Sequence, residues 1–402
     1  MTNQKVIASS VILATLLWAP STFAQQGIRP FVGVRYTADS NLFRVANEAE
    51  AIQQSGSSEM EDSIIQYFAG VEAVVLVSRQ RFTANAQADL FEYDRNAQLN
   101  HNAYDARGDW EWQLGNLWSG TAGLGFREKL TEFNQSGEPV QDLIFTQTTA
   151  VTARFQFHPD WAVIGGAGFK VTEHDVQDAD VLTPAQNDAV RVARARLDNT
   201  QDFYSGEVQY ATTANTKVGL RTVFLTGDFE RDASLNFDET EYSGVVYWEA
   251  TGKSSLEARL GQTDREGEGA APDFSGSTGR LTYKWLVTEK TNLEFSGWQE
   301  TRLVDDSAQF AVETGYGVSA LLNATAKLRF RGSLRQSTDQ YEGGEGSNRE
   351  DDIAQMRLAA IYLPTRIFTL TGTVVQKNRD SNIPDAEFDT TIFSLEGKLA
   401  LR

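Results

Sequence analysis

Phe82-Thr83-Ala84-Asn85-Ala86-Gln87-Ala88-Asp89-Leu90 alternates without a break: every second residue is apolar and each residue between is polar. Lys327-Leu328-Arg329-Phe330-Arg331-Gly332-Ser333-Leu334-Arg335 repeats the pattern with a basic polar face. A period of two sends successive side chains to opposite faces of a β-strand. Strands with one apolar and one wet face recur to the C-terminus behind a secretory leader. Together they predict an all-β, transmembrane, antiparallel up-and-down β-barrel of the outer membrane.

The leader is read from Lys5, the apolar run Val6 to Trp18, and Pro20-Ser21-Thr22-Phe23-Ala24 as a cleavage site after Ala24. The run of about 13 residues falls short of the roughly 20 that span a bilayer. Residues 1–24 are therefore expected to be a signal peptide and residues 25–402 one outer-membrane barrel domain. Mean hydropathy is −0.38, as expected when a wet lumen face offsets a lipid face; an exported soluble all-β protein is the competitor on this measure. There is no cysteine, which excludes disulfide and thiolate chemistry. A net charge of −19 argues against nucleic acid as a partner.

Eighteen candidate strands run from Ile28–Thr37 to Glu387–Arg402. The connections between them alternate in length. Ser78-Arg79-Gln80, Gly115-Asn116-Leu117, His158-Pro159-Asp160, Thr251-Gly252-Lys253 and Pro364-Thr365 are short. Residues 38–62, 130–142, 173–200, 226–238 and 338–351 are long. Membrane barrels have short periplasmic turns and longer extracellular loops. The stretch Asp175 to Asp198 is ambiguous, because Ala189 to Leu197 reads as a strand extension or a short helix; counts of 18 and 16 both stand. The loop Glu173 to Thr200 is the expected plug or constriction. Trp110, Trp112, Trp118, Trp161, Trp248 and Trp285 sit beside short turns, as a periplasmic aromatic girdle requires.

The strand parity assigns a charged interior. Its basic candidates include Arg221, Arg259, Arg280, Lys327, Arg329, Arg331, Arg335 and Arg357; its acidic ones include Asp105, Asp109, Glu111, Glu241, Glu257 and Glu313. Unpaired charges are not held in a dry interior, so the lumen is either a hydrated channel or crossed by ion pairs. Strand four presents Asp105, Asp109 and Glu111, and strand fifteen presents Lys327, Arg329, Arg331 and Arg335. Opposed walls of this kind predict a transverse field or a basic track for an acidic glycan. Pairing with neighbours such as Glu313 is the alternative.

Enzyme motifs are lacking. His101, His158 and His174 stand far apart with no nucleophile or metal spacing. The carboxylate runs Asp305-Asp306 and Glu350-Asp351-Asp352 fall in loops, and Asp175, Asp178 and Asp180 match no calcium motif. No catalytic residue, cofactor or metal is expected.

The first loop begins Ala38-Asp39-Ser40-Asn41-Leu42-Phe43-Arg44. Further on stand Trp110-Glu111-Trp112-Gln113-Leu114-Gly115-Asn116-Leu117-Trp118-Ser119-Gly120, Asp273-Phe274-Ser275-Gly276-Ser277-Thr278-Gly279-Arg280-Leu281 and Asn378-Arg379-Asp380-Ser381-Asn382. In this order the chain resembles the EpsL-type outer-membrane β-barrel proteins of exopolysaccharide operons that also encode an exosortase for PEP-CTERM proteins. The resemblance spans the mature chain nearly end to end. It implies a non-enzymatic role in exopolysaccharide biosynthesis or export, with outer-membrane lipids, polysaccharide and export-machinery proteins as partners. It supplies no catalytic residues. The final residues Lys398-Leu399-Ala400-Leu401-Arg402 depart from the terminal aromatic of many such barrels. Asp39-Ser40-Asn41 and Asp380-Ser381-Asn382 are expected at the outer mouth, as tight turns or as sugar contacts. The competing functions are a general diffusion porin for small solutes and a plugged structural or adhesive barrel.

Overall fold

The computed structural model describes residues 27–401 apart from 132, 134–139, 180–181, 214, 270, 304–309, 343–347 and 384–385. The leader, Asp180, Asp305, Asp306 and Arg402 lie outside the described residues. Strands form where the alternation predicts them. They are β1 (Gly27–Asp39), β2 (Asp62–Val77), β3 (Gln80–Tyr93), β4 (His101–Leu114), β5 (Trp118–Leu130) and β6 (Asp142–His158). Next come β7 (Trp161–Val176), β8 (Asn199–Thr213), β9 (Thr216–Phe229), β10 (Phe237–Thr251), β11 (Ser254–Gly267) and β12 (Phe274–Thr288). The last are β13 (Thr291–Leu303), β14 (Phe310–Asn323), β15 (Leu328–Glu342), β16 (Glu350–Tyr362), β17 (Phe368–Ser381) and β18 (Phe388–Ala400).

Each strand pairs antiparallel with its sequence neighbours, and β1 pairs with both β2 and β18. The sheet is thus a closed barrel of eighteen strands. Closure removes every free edge, which a strand needs when it sits in lipid without water to bond its backbone. Short turns close one end, where both β1 begins and β18 ends, and the longer connections close the other. Several strands run further into those connections than the alternation implied; β15 extends to Glu342, so only residues 343–349 separate it from β16.

The seam is packed as well as hydrogen-bonded. Phe31 lies over Gly70 and Phe68 over Gly33: a Cβ on either glycine would fall within 2.5 Å of the ring above it. The Lys398 ammonium caps the Phe31 ring at 3.6 Å and reaches Glu72 at 2.7 Å. Arg35 of β1 donates to Glu396 of β18 at 3.0 Å and to Gln66 of β2 at 3.0 Å. One arginine therefore ties the first strand to the last and to the second.

Two helices lie in the long connections. The first is α1 (Glu48–Ser55), within a stretch that the alternation leaves as loop. Asn47 caps it, accepting from the backbone N–H groups of Ala49 and Glu50, and Gly56 ends it at φ +76°. The second, α2 (Pro184–Ala195), settles the ambiguous stretch as helix. It starts at Pro184, before Ala189, because Thr183 and Gln186 form a capping box and Pro184 fits the first turn.

Beyond α2, Arg196 Nε donates to Asp232 at 2.8 Å and the Ser234 hydroxyl donates to the same carboxylate at 2.6 Å. The Ser234 hydroxyl first, then Arg196, hold the Asp232 carboxyl below its ordinary range. A depressed carboxyl adds stability above its unfolded value and loses it as pH falls through the folded one. Hydrogen exchange of residues 196–235, corrected for intrinsic rates, is expected to quicken below about pH 3.9, and Asp232→Asn should remove that acid step. Identical acid behaviour in the variant would refute the link.

Candidate functional site

The two faces of the sheet are told apart by which side chains reach over an intervening strand. On the concave face Arg259 of β11 meets Glu300 of β13 at 2.7 Å, and Arg335 of β15 lies over the Trp298 ring of β13 at 4.5 Å. The convex face carries exposed apolar groups such as Leu220 and Leu260, more than 70% accessible. On a lipid-facing wall that exposure is burial in hydrocarbon.

Register carries this assignment around the barrel, since directly paired residues share a face. Asp105, Asp109, Glu111, Arg221, Glu241, Glu257, Arg259, Arg280, Glu313, Arg329, Arg331, Arg335 and Arg357 all project from the concave face. Lys327, just before β15, turns away to donate to the Pro364 carbonyl at 3.0 Å. Trp110, Trp112, Trp118, Trp161, Trp248 and Trp285 lie on the convex face toward the short turns. Phe82 stacks on Trp110 at 5.8 Å, Phe155 on Trp118 at 4.4 Å, and Tyr210 meets Trp161 at 4.8 Å.

For the strand-four carboxylates the geometry matches the alternative of pairing with neighbouring charges. Each carboxylate of strand four has a cation beside it: Arg127 to Asp105 at 2.5 Å, Arg107 to Asp109 at 2.8 Å and Arg81 to Glu111 at 3.4 Å. Arg107, absent from the charged interior expected from sequence, shares the parity of Asp105 and Asp109.

A second omission is Trp298. It shares the parity of Glu294 and Glu300 and stands on the concave face, mostly buried. Its ring fills the space over Gly315, where a Cβ would come within 2.6 Å of the indole. The indole N–H donates to Glu313 at 2.7 Å, and the guanidinium groups of Arg280 and Arg335 lie 5.5 and 4.5 Å from the ring. Arg280 donates to Glu300 at 3.0 Å, and Arg335 bonds Glu313. The tryptophan thus seats two arginines by cation–π contact, each with its own carboxylate.

At the long-loop end the connections fold over the inner face. Leu42, Phe43, Val45 and Ala51 of the first loop pack with Leu99 and Phe133 against Ile64 and Tyr93 of the inner wall. Val190 of α2 packs with Val176 of β7. Arg194 of α2 lies 3.5 Å from Asp142, which also meets His174 Nδ1 at 3.0 Å, all three side chains buried. The other histidines are structural: His101 stacks on Phe91 at 4.7 Å, and His158 stays in its turn near Asp160.

Both Asp-Ser-Asn motifs sit at this end, bonded to their own chain. Asp39 accepts from the Asn41 backbone at 3.0 Å and pairs with Arg44 at 2.7 Å; the Asn41 amide donates to the Val45 and Asp389 carbonyls. The Ser381 hydroxyl donates to Asp351 at 2.7 Å, and Asn382 accepts from the Glu350 backbone at 2.9 Å. Asp380 is paired in register with Asp352 on the convex face. Among the described residues no group of His, Asp or Glu is placed to hold a metal ion.

A family model described as "Putative beta-barrel porin 2" matches residues 28–400. The chain belongs to this porin family. It is an outer-membrane barrel of the porin type. No curated protein matches it. Similar solved structures include OpdK of Pseudomonas aeruginosa with vanillate, at 10% identity and TM-score 0.48, covering 93% of this chain and 99% of that one. OccK2 (OpdF) of Pseudomonas aeruginosa follows at 8% and 0.49, covering 93% and 98%. A BenF-like porin from Pseudomonas fluorescens Pf-5 stands at 10% and 0.48, covering 94% and 99%.

Proposed function

We propose that this porin-family barrel is a diffusion channel for small polar solutes. The observation that carries the reading is the exposure of charged groups on the concave face. The Arg127 side chain keeps 61% of its surface accessible and Arg335 keeps 50%, although both point into a closed barrel. A filled interior would bury such groups, and a charge buried without full compensation is costly. Water beside them is the physical alternative, and a barrel of this strand number has room for it. Half-exposed ion pairs are worth only about 0–1 kcal/mol each, so the ladder is better explained as a polar lining than as a stabilising core.

The exopolysaccharide-export role implied by the EpsL-type resemblance has less support. The matched family is described as porin, and Asp39, Asn41, Ser381 and Asn382 of the loop motifs that suggested sugar contacts are engaged by neighbouring side chains and backbone. No chemical step is assigned to the barrel.

Purified protein in planar lipid bilayers is expected to give discrete current steps that grow with salt concentration. Electrical silence at protein levels where insertion is verified would sink the channel reading.

A further inference from the structure

We infer that the outer ends of β13 and β14 form a strap folded into the lumen, and that Thr301 and Leu303 hold it there and set the size limit for solutes. This rests on the channel reading above and names the segment that decides which solutes pass.

Register puts Gly297, Gln299, Thr301 and Leu303 of β13 on the convex side, with Leu281 of β12 and Tyr316 of β14. A straight wall would turn Thr301 and Leu303 toward lipid. Instead the Thr301 hydroxyl donates to the Glu239 carboxylate, whose two oxygens lie at 3.1 and 3.0 Å. Glu239 stands on the concave side of β10, opposite Arg265, and β11 and β12 intervene. Leu303 packs with Phe229, Leu235 and Phe237, and Phe237 shares the concave parity of Glu239. Phe310 of β14 has the convex parity of Tyr316, yet its ring meets Phe274 edge-on at 5.8 Å and lies 4.6 Å from the Arg265 guanidinium. Phe274 is paired in register with Arg265 on the concave side. The back of one strand can touch the inner side of another only when it lies inside that wall. Burial agrees: Tyr316 is 61% exposed, whereas Phe310, Ala311 and Val312 are 1%, 0% and 7% exposed, covered on both sides.

Three strand spacings separate β10 from β13, about 14 Å along the wall. A threonine and a glutamate do not bridge that span from places in the wall, so β13 leaves it before Thr301. One edge of the strap stays with β15, where Arg302 bonds Asp339 and Ala311 packs on Tyr341. On the other side Thr301 supplies a hydrogen bond to a charged acceptor and Leu303 an apolar contact. A segment lying across a pore reduces its open diameter, and diameter decides which solutes enter. The Arg265 charge does not depend on Thr301, because Glu239 stays beside it at 3.3 Å. Changing Thr301 and Leu303 therefore loosens the strap and spares the wall, since local opening needs less free energy than global unfolding.

Swelling of phospholipid vesicles that carry the full barrel, in glucose, sucrose and raffinose, tests this together with hydrogen exchange. Thr301→Val with Leu303→Ser should quicken exchange over residues 299–303 and 310–313, leave residues 241–250 of β10 slow, and raise raffinose entry relative to glucose about threefold. Thr301→Ser with Leu303→Met keeps the hydroxyl and the apolar contact and should match wild type in both readouts. Circular dichroism checks the folding of each variant, and Leu303→Ser alone replaces the first if that one does not fold. Fast exchange with an unchanged sugar ratio, slow exchange in a folded first variant, or a conservative variant that loosens equally, overturns the inference. A wild-type barrel that admits no sugar overturns the channel reading instead, and the exchange contrast then still decides whether Thr301 and Leu303 hold the strap.

Discussion

Glu239→Ala is expected to destabilise the barrel by about 3–5 kcal/mol. Arg265 of β11 is only 4% exposed. Its guanidinium sits 3.5 Å from the Phe237 ring and 4.6 Å from Phe310, and its carboxylate partner is Glu239 at 3.3 Å. The Thr301 hydroxyl donates to the same carboxylate at 3.0 Å. Removing Glu239 strands a cation that cannot retreat to water, because two aromatic rings close over it. The cost is the uncompensated charge rather than the lost contact. Hence Glu239→Leu combined with Arg265→Met should recover most of the stability, since an apolar pair of similar volume often replaces a buried ion pair without loss. The midpoint of thermal loss of the β-sheet circular dichroism signal measures both. A wild-type midpoint in the single variant, or a double variant as weak as the single one, would show that Arg265 is not held as a buried charge.

Asp142→Ala is expected to release α2 from the inner wall while the strands stay intact. Asp142 is the point where the β6 terminus, His174 of β7 and Arg194 of α2 converge. The apolar contact that holds the helix is small, Val190 and Leu182 against Val140, Val176 and Ala179. Asn187 also bonds the Ala179 backbone at 3.0 and 3.2 Å, but the Asp142–Arg194 pair is the buried charged tie to the strand wall, and breaking a buried charge pair of this kind costs about 3–5 kcal/mol. Local opening needs less free energy than global unfolding, so the loss appears first in the helix. Hydrogen exchange should rise over residues 184–195 and remain slow in β6 and β7. Single-channel current should rise as well, because α2 then no longer packs on the inner face. Slow exchange in the variant helix would mean that apolar packing alone holds it.

Much of the architecture was legible because a barrel writes its geometry into alternation. Phe82 to Leu90 and Lys327 to Arg335 each declare two faces, and turn residues at regular spacing declare where the chain reverses. The register then follows from keeping apolar positions together, since a slip of one residue would turn every apolar side chain inward. Parity likewise placed Arg259, Arg280, Arg335 and their acidic counterparts on one face before any contact was known. Arg107 and Trp298 have the same parity signal, but one stands among acids and the other away from any turn.

The helices and the loop core were less legible. Asn47 before α1 and Thr183 with Gln186 before α2 are recognisable caps, yet neither helix is long enough to announce itself by periodicity. Short helices depend on what they pack against, and here that is the inner wall of strands distant in sequence.

By itself, then, the sequence determined the fold class, the two faces of each strand and the end at which the short turns lie, because these depend on local alternation and turn chemistry. Only the tertiary structure decided how the charges are shared. Whether an arginine meets a carboxylate depends on the residue opposite it on the next strand or the next but one, up to 361 positions away for Arg35 and Glu396. That neighbour relation is set by closure and register, and it is what turns a charged face into paired ladders.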